Sequence, residues 1–365
     1  MNINPTVINN GVVFYLPKDR FGYFAWPSIA RQDDGTLLLV ASGFRAAHIC
    51  PWGKTVIFRS SDNGETWSYP QIINDTPLDD RDPGIISLGG QRVAITWFTS
   101  NTSSYHKPDP TSGWPEERRE EGAVLDTWEL PMCSRNIGSW LRVSPDGYYW
   151  GETSQVPVNT PHGFIILKDG SWLYFGKRWD IDRATASYIA GAPIVAVRST
   201  DEGRTWEMLG SVPAASDCSY AWMHEPHVLE LKDGGLLGAI RISRPQSHFQ
   251  LALTRSQDGG RTWSTAEECG MPGSPPHLLR HSSGAIVMVY SYRVKPYGQR
   301  ARVSCDEGAT WSEEIPLRTD GYLPSIDLGY PASVELPGGE ILTIYYQTLA
   351  PGDHPGIMYT KWKLT

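Results

Sequence analysis

Arg198-Ser199-Thr200-Asp201-Glu202-Gly203-Arg204-Thr205-Trp206 is the stretch that decides how this chain is read. Its skeleton, Ser-x-Asp-x-Gly-x-Thr-Trp, returns at Ser60-Asp62-Gly64-Thr66-Trp67, at Ser256-Asp258-Gly260-Thr262-Trp263 and at Ser304-Asp306-Gly308-Thr310-Trp311. A copy one residue short stands at Ser144-Asp146-Gly147-Trp150. Recurrence at a spacing of roughly 50 residues is the mark of a repeat architecture. The skeleton has a physical sense as a turn. Asp accepts hydrogen bonds from nearby backbone N–H groups, and Gly supplies the positive φ of the chain reversal. Trp then folds back over the hairpin and buries apolar area. The flanks, Thr55–Arg59 and Pro193–Arg198, read as strands. These residues are expected to staple hairpins rather than to touch a ligand.

A second repeat runs out of phase with the first: an apolar strand, a short turn containing Gly, and a second apolar strand. Its six copies begin at Trp26, Asp82, His162, Glu225, Pro276 and Tyr330. Six such units, each joined to an Asp-type hairpin, predict an all-β fold, a six-bladed β-propeller built by residues 1–365 as a single domain. The last strand, Ile357–Trp362, has no successor, and Gly11–Tyr15 has no predecessor. Pairing them closes the ring and removes an exposed edge. Residues 100–131 break the rhythm as an insertion in blade two. Within it Trp114–Glu121 reads as a short helix with Pro in its first turn, which walls a pocket, makes a subunit contact or is simply solvated.

Composition narrows the partners. The formal charge of −8 argues against nucleic acid and against an anionic membrane surface. The start, Met1–Thr6, has no basic residue and no apolar run, and the five scattered cysteines lack metal-ligand spacing. Together these point to free thiols in a reducing, cytoplasmic setting. No metal or cofactor is expected, and the oligomeric state is left open.

In a propeller the start of each innermost strand faces the axis. The repeat therefore brings Trp26, Asp82, His162, Glu225, His277 and Tyr330 together, with His227 beside them. Positions interchangeable by symmetry are all different, and polar or aromatic, as a ligand site requires. The ends of the second strands add Arg45, Lys177, Arg178, Arg241 and Arg293. Guanidinium groups converging on one cavity suit a carboxylate. Tyr330 is a poor nucleophile alone, but an axial carboxylate, Glu225, is available to take its proton.

The Asp boxes, Glu225, Arg241, Arg293 in Tyr290-Ser291-Tyr292-Arg293, and Tyr330 in Asp327-Leu328-Gly329-Tyr330-Pro331 together resemble the sialidase superfamily over nearly the whole chain. The resemblance implies a Tyr–Glu pair that forms a covalent glycosyl intermediate, three arginines on the sugar carboxylate, and an Asp acid/base in the loop after blade one. Carried over, Tyr330 is the nucleophile, Glu225 its base, and Arg241 and Arg293 two of the three arginines. Two positions depart. Phe24-Ala25-Trp26-Pro27 lacks the first-blade arginine, and Ser42–Lys54 contains no Asp. Arg45 is the expected substitute for the arginine. His48, or a carboxyl among Asp79-Asp80-Arg81-Asp82 (Asp80 or Asp82), is the expected proton donor, since a carboxyl among like charges holds its proton to higher pH.

The function that follows is exo-hydrolysis of a terminal, acidic sugar from an oligosaccharide or glycoside. Two alternatives stand beside it. One is a polysaccharide lyase, with Tyr330 or a His abstracting a proton next to a neutralised carboxylate. The other is a non-catalytic carbohydrate-binding propeller, with Trp26, Trp52 and Trp97 as stacking platforms.

Overall fold

The computed structural model describes residues 5–105, 119–319 and 325–364. It is a six-bladed β-propeller. Blade one is Tyr23–Arg31, Leu37–Arg45, Lys54–Ser60 and Gln71–Asn74, each strand antiparallel to the one before. Blades two, four and five repeat this order from inner strands Asp79–Ser87, Met223–Glu230 and Ser274–Arg280. Blade three has its inner edge broken into Val158–Asn159 and Ile165–Ile166. Blade six runs Gly329–Glu335, Glu340–Gln347 and Gly356–Lys363, and Thr6–Phe14 adds the outermost strand. Gly11 sits opposite Tyr359, so the ends of the chain close the ring as the unpaired strands required.

The strands form because their inward residues are apolar where blade meets blade. Leu37, Leu39, Val56 and Phe58 of blade one share one apolar cluster with Leu342, Ile344 and Tyr346 of blade six. Each Asp box is the turn its sequence described. In blade one Gly64 N donates to Ser60 Oγ at 2.9 Å and Thr66 N donates to Asp62 at 3.0 Å. Gly64 has φ 80°. The same bonds recur at Ser199–Thr205 and Ser304–Thr310. Inner strands start at one face of the wheel and third strands end at the other. The Asp boxes, which follow third strands, therefore lie on the face opposite the inner-strand heads.

The heads share a kink. Trp26, Asp82, Glu225 and Tyr330 have φ of 53°, 48°, 45° and 52°. Each precedes a proline, and each lies in a register shift between the inner and second strands. A left-handed non-Gly residue costs about 1–3 kcal/mol and is tolerated where the surroundings over-determine it. A bulge of this kind re-aims a side chain, here toward the axis.

Register corrects the expected axial set. Glu230 opposite Leu236 and Arg280 opposite Ile286 mark equivalent points, so His277 matches His227, and Pro275 matches Glu225. In blade three, Leu167 bonding Ser171 matches Leu231 bonding Gly235, which puts Pro161 at the head instead of His162. The apolar runs of these two blades look alike when slid by one or two residues, and the sequence offered nothing to stop the slide.

Of the insertion, residues 106–118 lie outside the described residues, and with them most of the expected Trp114–Glu121 helix. The helical segments described are Arg119–Leu125 and Leu130–Asn136. Cys133 and Ile137 pack against Leu78 and Ala186, bracing the small hairpin Ile181–Asp182 and Ser187–Tyr188.

Candidate active site

A cavity of about 480 Å³ opens at the inner-strand heads. Asp82, Glu225 and Tyr330 reach it from those heads, and Lys177, Arg241 and Arg293 reach it at or just past the ends of second strands. Arg81, His48, His224 and Asn159 complete its polar wall. Phe98, Trp179, Tyr188 and Phe249 form an apolar side, with Trp179 stacked on Tyr188 at 4.6 Å.

Its centre is one carboxylate shared by two partners. The Tyr330 hydroxyl donates to Glu225 Oε1 at 2.5 Å, and Glu225 Oε2 pairs with Arg241 Nη1 at 2.5 Å. Burial, followed by the negative charges of Glu225 and Asp82, pushes the Tyr330 phenol well above its usual value. Arg241 and Arg293 oppose that shift. Arg293 donates through Nε and Nη2 to the Leu328 carbonyl. Burial raises Asp82 to about 7, with Arg81 opposing and Glu225 adding to the rise. Asp82 is therefore a neutral carboxylic acid in mildly acidic solution.

His48 stands at the rim, its side chain 47% exposed. Its Nδ1 lies 3.0 Å from Asp327 Oδ1 and 2.9 Å from the Tyr23 hydroxyl. Tyr23 and Tyr346 both donate to Asp327, at 2.6 and 2.8 Å. Burial opposes the ionisation of Asp327, yet these bonds, led by that from His48, hold it at about 2. An ionised Asp327 places the imidazole proton on Nδ1 and leaves Nε2 as the basic end. Burial lowers the His48 value, Asp327 opposes that, and Arg81 adds to it.

Lys177 Nζ donates to the carbonyls of Tyr220 and Met223 at 2.8 and 2.7 Å, and burial brings it down to about 8. His224 falls to about 4, through burial and then the charge of Arg241.

Several expected residues are elsewhere. Arg45 is fully buried and holds Asp79 through both guanidinium nitrogens, at 2.5 and 2.9 Å. It is committed to that pair and does not line the cavity. The cation that does is Arg81, whose guanidinium lies 4.4 Å over the Trp26 ring. Arg81 Nε has no hydrogen-bond partner among the described residues, and its nearest carboxylate oxygens are at 3.9 and 4.0 Å. Asp80 is also off the wall: it accepts from Thr76 N at 2.7 Å and from Thr99 Oγ1 at 2.6 Å, a brace inside blade two. Arg178 turns away to Asp180 at 2.7 Å.

Trp26, 1% exposed, is no platform for a ligand. It carries Arg45 and Arg81 on its ring and meets His48 and Tyr330 edge-on at 5.0 and 6.4 Å. Trp97 is likewise buried. His162, His227 and His277 meet one another further along the axis, with ring centroids 4.5–5.5 Å apart, and none lines the cavity. Among the described residues no group of three or more His, Cys, Asp or Glu has metal-binding geometry.

Comparison with known proteins agrees with the ring. A family model, the BNR repeat-like domain, matches residues 172–350. The sialidase of Micromonospora viridifaciens is 22% identical over 369 aligned positions, covering 95% of this chain and 52% of its own. The sialidase of Clostridium perfringens is 23% identical, covering 52% of this chain and 50% of its own. The chain is a divergent, sialidase-like BNR-repeat propeller.

This propeller spans about half the length of the curated relatives it matches. A crystal structure of a protein of unknown function from Dyadobacter fermentans superposes with TM-score 0.77 at 23% identity, over 99% of both chains. The NanB sialidase of Streptococcus pneumoniae superposes with TM-score 0.66 at 14% identity, over 97% of this chain and 71% of its own. Trypanosoma rangeli sialidase in complex with sialic acid gives 0.60 at 14%, over 99% and 59%. These likenesses are likenesses of fold.

Arg81, His224, Asp327 and the Trp179–Tyr188 wall escaped the sequence reading. Arg81 had a usable signal, since it directly precedes a kinked X-Pro head, as His224 does in blade four.

Proposed function

We propose that this protein is a retaining exo-glycosidase acting on a terminal sugar that carries a carboxylate. The observation that carries the proposal is the Tyr330–Glu225–Arg241 chain of short contacts at the foot of a cavity lined by three guanidinium groups. Arg81, Arg241 and Arg293 take the sugar carboxylate, with Arg81 in place of the arginine missing from blade one. Each charge-assisted hydrogen bond contributes about 1.5–3 kcal/mol. The sialidases among the relatives support sialic acid as the first sugar to test.

A tyrosine suits this task. Its neutral phenol can approach an anionic sugar that would repel a carboxylate nucleophile, and Tyr nucleophiles are a recognised exception to the two-carboxylate pattern. As the bond from the anomeric carbon to the leaving oxygen breaks, the Tyr330 oxygen bonds that carbon and its proton passes to Glu225. The leaving oxygen takes a proton from His48, in its doubly protonated form. Water then attacks the glycosyl–tyrosine bond, gives a proton to His48, and Tyr330 recovers its own from Glu225. His48 is preferred over Asp82 as donor because geometry ranks before pKa in such choices: it stands at the rim, where a leaving group must exit. Asp82, neutral at the foot, donates a hydrogen bond to the bound sugar.

A panel of chromogenic glycosides tests the proposal. Acidic sugars, sialosides included, should be hydrolysed, and neutral hexosides should not. An unsaturated product absorbing in the ultraviolet would instead mark a lyase, and binding without turnover a sugar-binding propeller.

A further inference from the structure

A second cavity, of about 420 Å³, lies beside the first, and the two share one lining residue, His48. It is built by three loops at the same face: Ala46–His48 after the second strand of blade one, Ser325–Asp327 before the inner strand of blade six, and Thr348–Pro355 after its second strand. Tyr23 contributes its edge from the inner strand of blade one. The volume falls in the range of small-molecule sites, about 300–1,000 Å³.

Its electrostatics are the reverse of its neighbour's. Four cations line the first cavity, Arg81, Lys177, Arg241 and Arg293. No Lys or Arg lines the second, where the charged groups are Asp327 and Asp353. Both are ionised in neutral solution. The Asp327 carboxylate is held by His48, Tyr23 and Tyr346, and the Asp353 carboxylate by Lys18 and Tyr15. The Lys18 ammonium, 2.7 Å from Asp353, offsets one charge from outside the lining. Asp327 has no such counter-ion beside it other than His48. The two imidazoles of the lining, His48 and His354, are both lowered by burial and stay neutral near pH 7. A carboxylate or phosphate brought here meets uncompensated negative charge across a short distance, whereas hydroxyls and ammonium groups meet acceptors.

We infer that this second cavity is the leaving-group site, and that it takes a neutral or amino sugar and excludes an acidic one. The inference rests on the glycosidase proposal, because it uses His48 as the boundary across which the scissile oxygen lies. The substrate class is thereby narrowed to an acidic sugar linked to a hexose or hexosamine, and chains of consecutive acidic sugars are excluded.

Ligand-observed NMR on the full chain tests this with galactose, glucosamine and glucuronate as probes and N-acetylneuraminate as the first-cavity reference. Galactose and glucosamine should bind at least tenfold more tightly than glucuronate. Ala47→Trp, which fills the second cavity, should lower their affinity at least tenfold relative to N-acetylneuraminate. Ser325→Trp, from a different loop, repeats the test should Ala47→Trp fail to fold. Equal binding of glucuronate, or an unchanged affinity ratio in a folded Trp variant, overturns the inference. Hydrolysis of an acidic-sugar glycosyl fluoride, whose leaving group is too small to occupy the second cavity, reports on the first cavity alone. Failure there therefore counts against the glycosidase proposal, separately from failure of the sugar probes.

Discussion

The Glu225 carboxylate stands between a phenol and a guanidinium, accepting from the Tyr330 hydroxyl on one oxygen and from Arg241 on the other. Blades four and six are not neighbours, so the contact exists only because the ring closes. It makes Glu225 a base whose remaining capacity is matched to a single proton. Replacing Tyr330 by Phe should lower kcat by more than about a thousandfold, the scale seen when a covalent catalytic group is lost. Affinity for an unreactive acidic sugar should stay within threefold. A retained kcat would exclude Tyr330 as nucleophile.

Arg81 and Arg45 should behave oppositely. Arg81→Ala should weaken a carboxylated ligand about 10- to 100-fold, the value of one charge-assisted bond, and leave its carboxamide analogue nearly untouched. Arg45→Ala should instead lower stability by about 3–5 kcal/mol, because it leaves Asp79 charged and unpaired in the interior. Titration calorimetry and denaturant unfolding separate the two. Equal losses on acid and amide for Arg81→Ala would remove it from the anion site.

The pH dependence follows from Asp82. Its carboxyl is raised to about 7, so it is neutral in mild acid and becomes a second anion beside Glu225 above that. kcat/KM should therefore fall as pH rises through about 7, and Asp82→Asn should flatten that limb. Stability shares the sign. A raised carboxyl binds its proton more tightly in the folded state, so its contribution is present below the usual value of 3.8 and is lost as pH rises toward about 7. The melting temperature of the wild type should thus drop more between pH 5 and pH 8 than that of Asp82→Asn. Parallel curves would show that Asp82 does not titrate in this range.

His48 and its partner Asp327 predict a leaving-group effect. His48→Ala should slow hydrolysis of a poor leaving group about 10²–10⁴-fold, the usual value of general acid catalysis, and barely slow a nitrophenyl glycoside. Asp327→Asn should shift the pH profile of kcat with a smaller loss. Identical losses on good and poor leaving groups would move the donor role away from His48.

Much of this was legible before any coordinates, and the legible part has one cause. Repeats fix a register, so Trp26, Asp82, Glu225 and Tyr330 could be aligned at the axis from the Pro that follows each. The alignment slipped at blades three and five, where Pro161 and Pro275 occupy the head themselves and apolar runs carry no phase. Anchoring at the turn, where Leu167 and Leu231 make the same backbone bond, resolves the phase. Arg81 was hidden because an Arg inside Asp79-Asp80-Arg81-Asp82 reads as the counter-ion of its neighbours. What released it was Arg45, which takes Asp79 from another blade. A pairing across 34 residues leaves no local pattern.

The central claim is a covalent bond between Tyr330 and the sugar. Exposure to a 2,3-difluoro sialic acid, quench and peptide mass analysis tests it most directly. The Tyr330-containing peptide should gain one glycosyl mass, and the Tyr330→Phe protein should gain none. An adduct on any other side chain, or steady hydrolysis of acidic glycosides with no adduct formed, would contradict it.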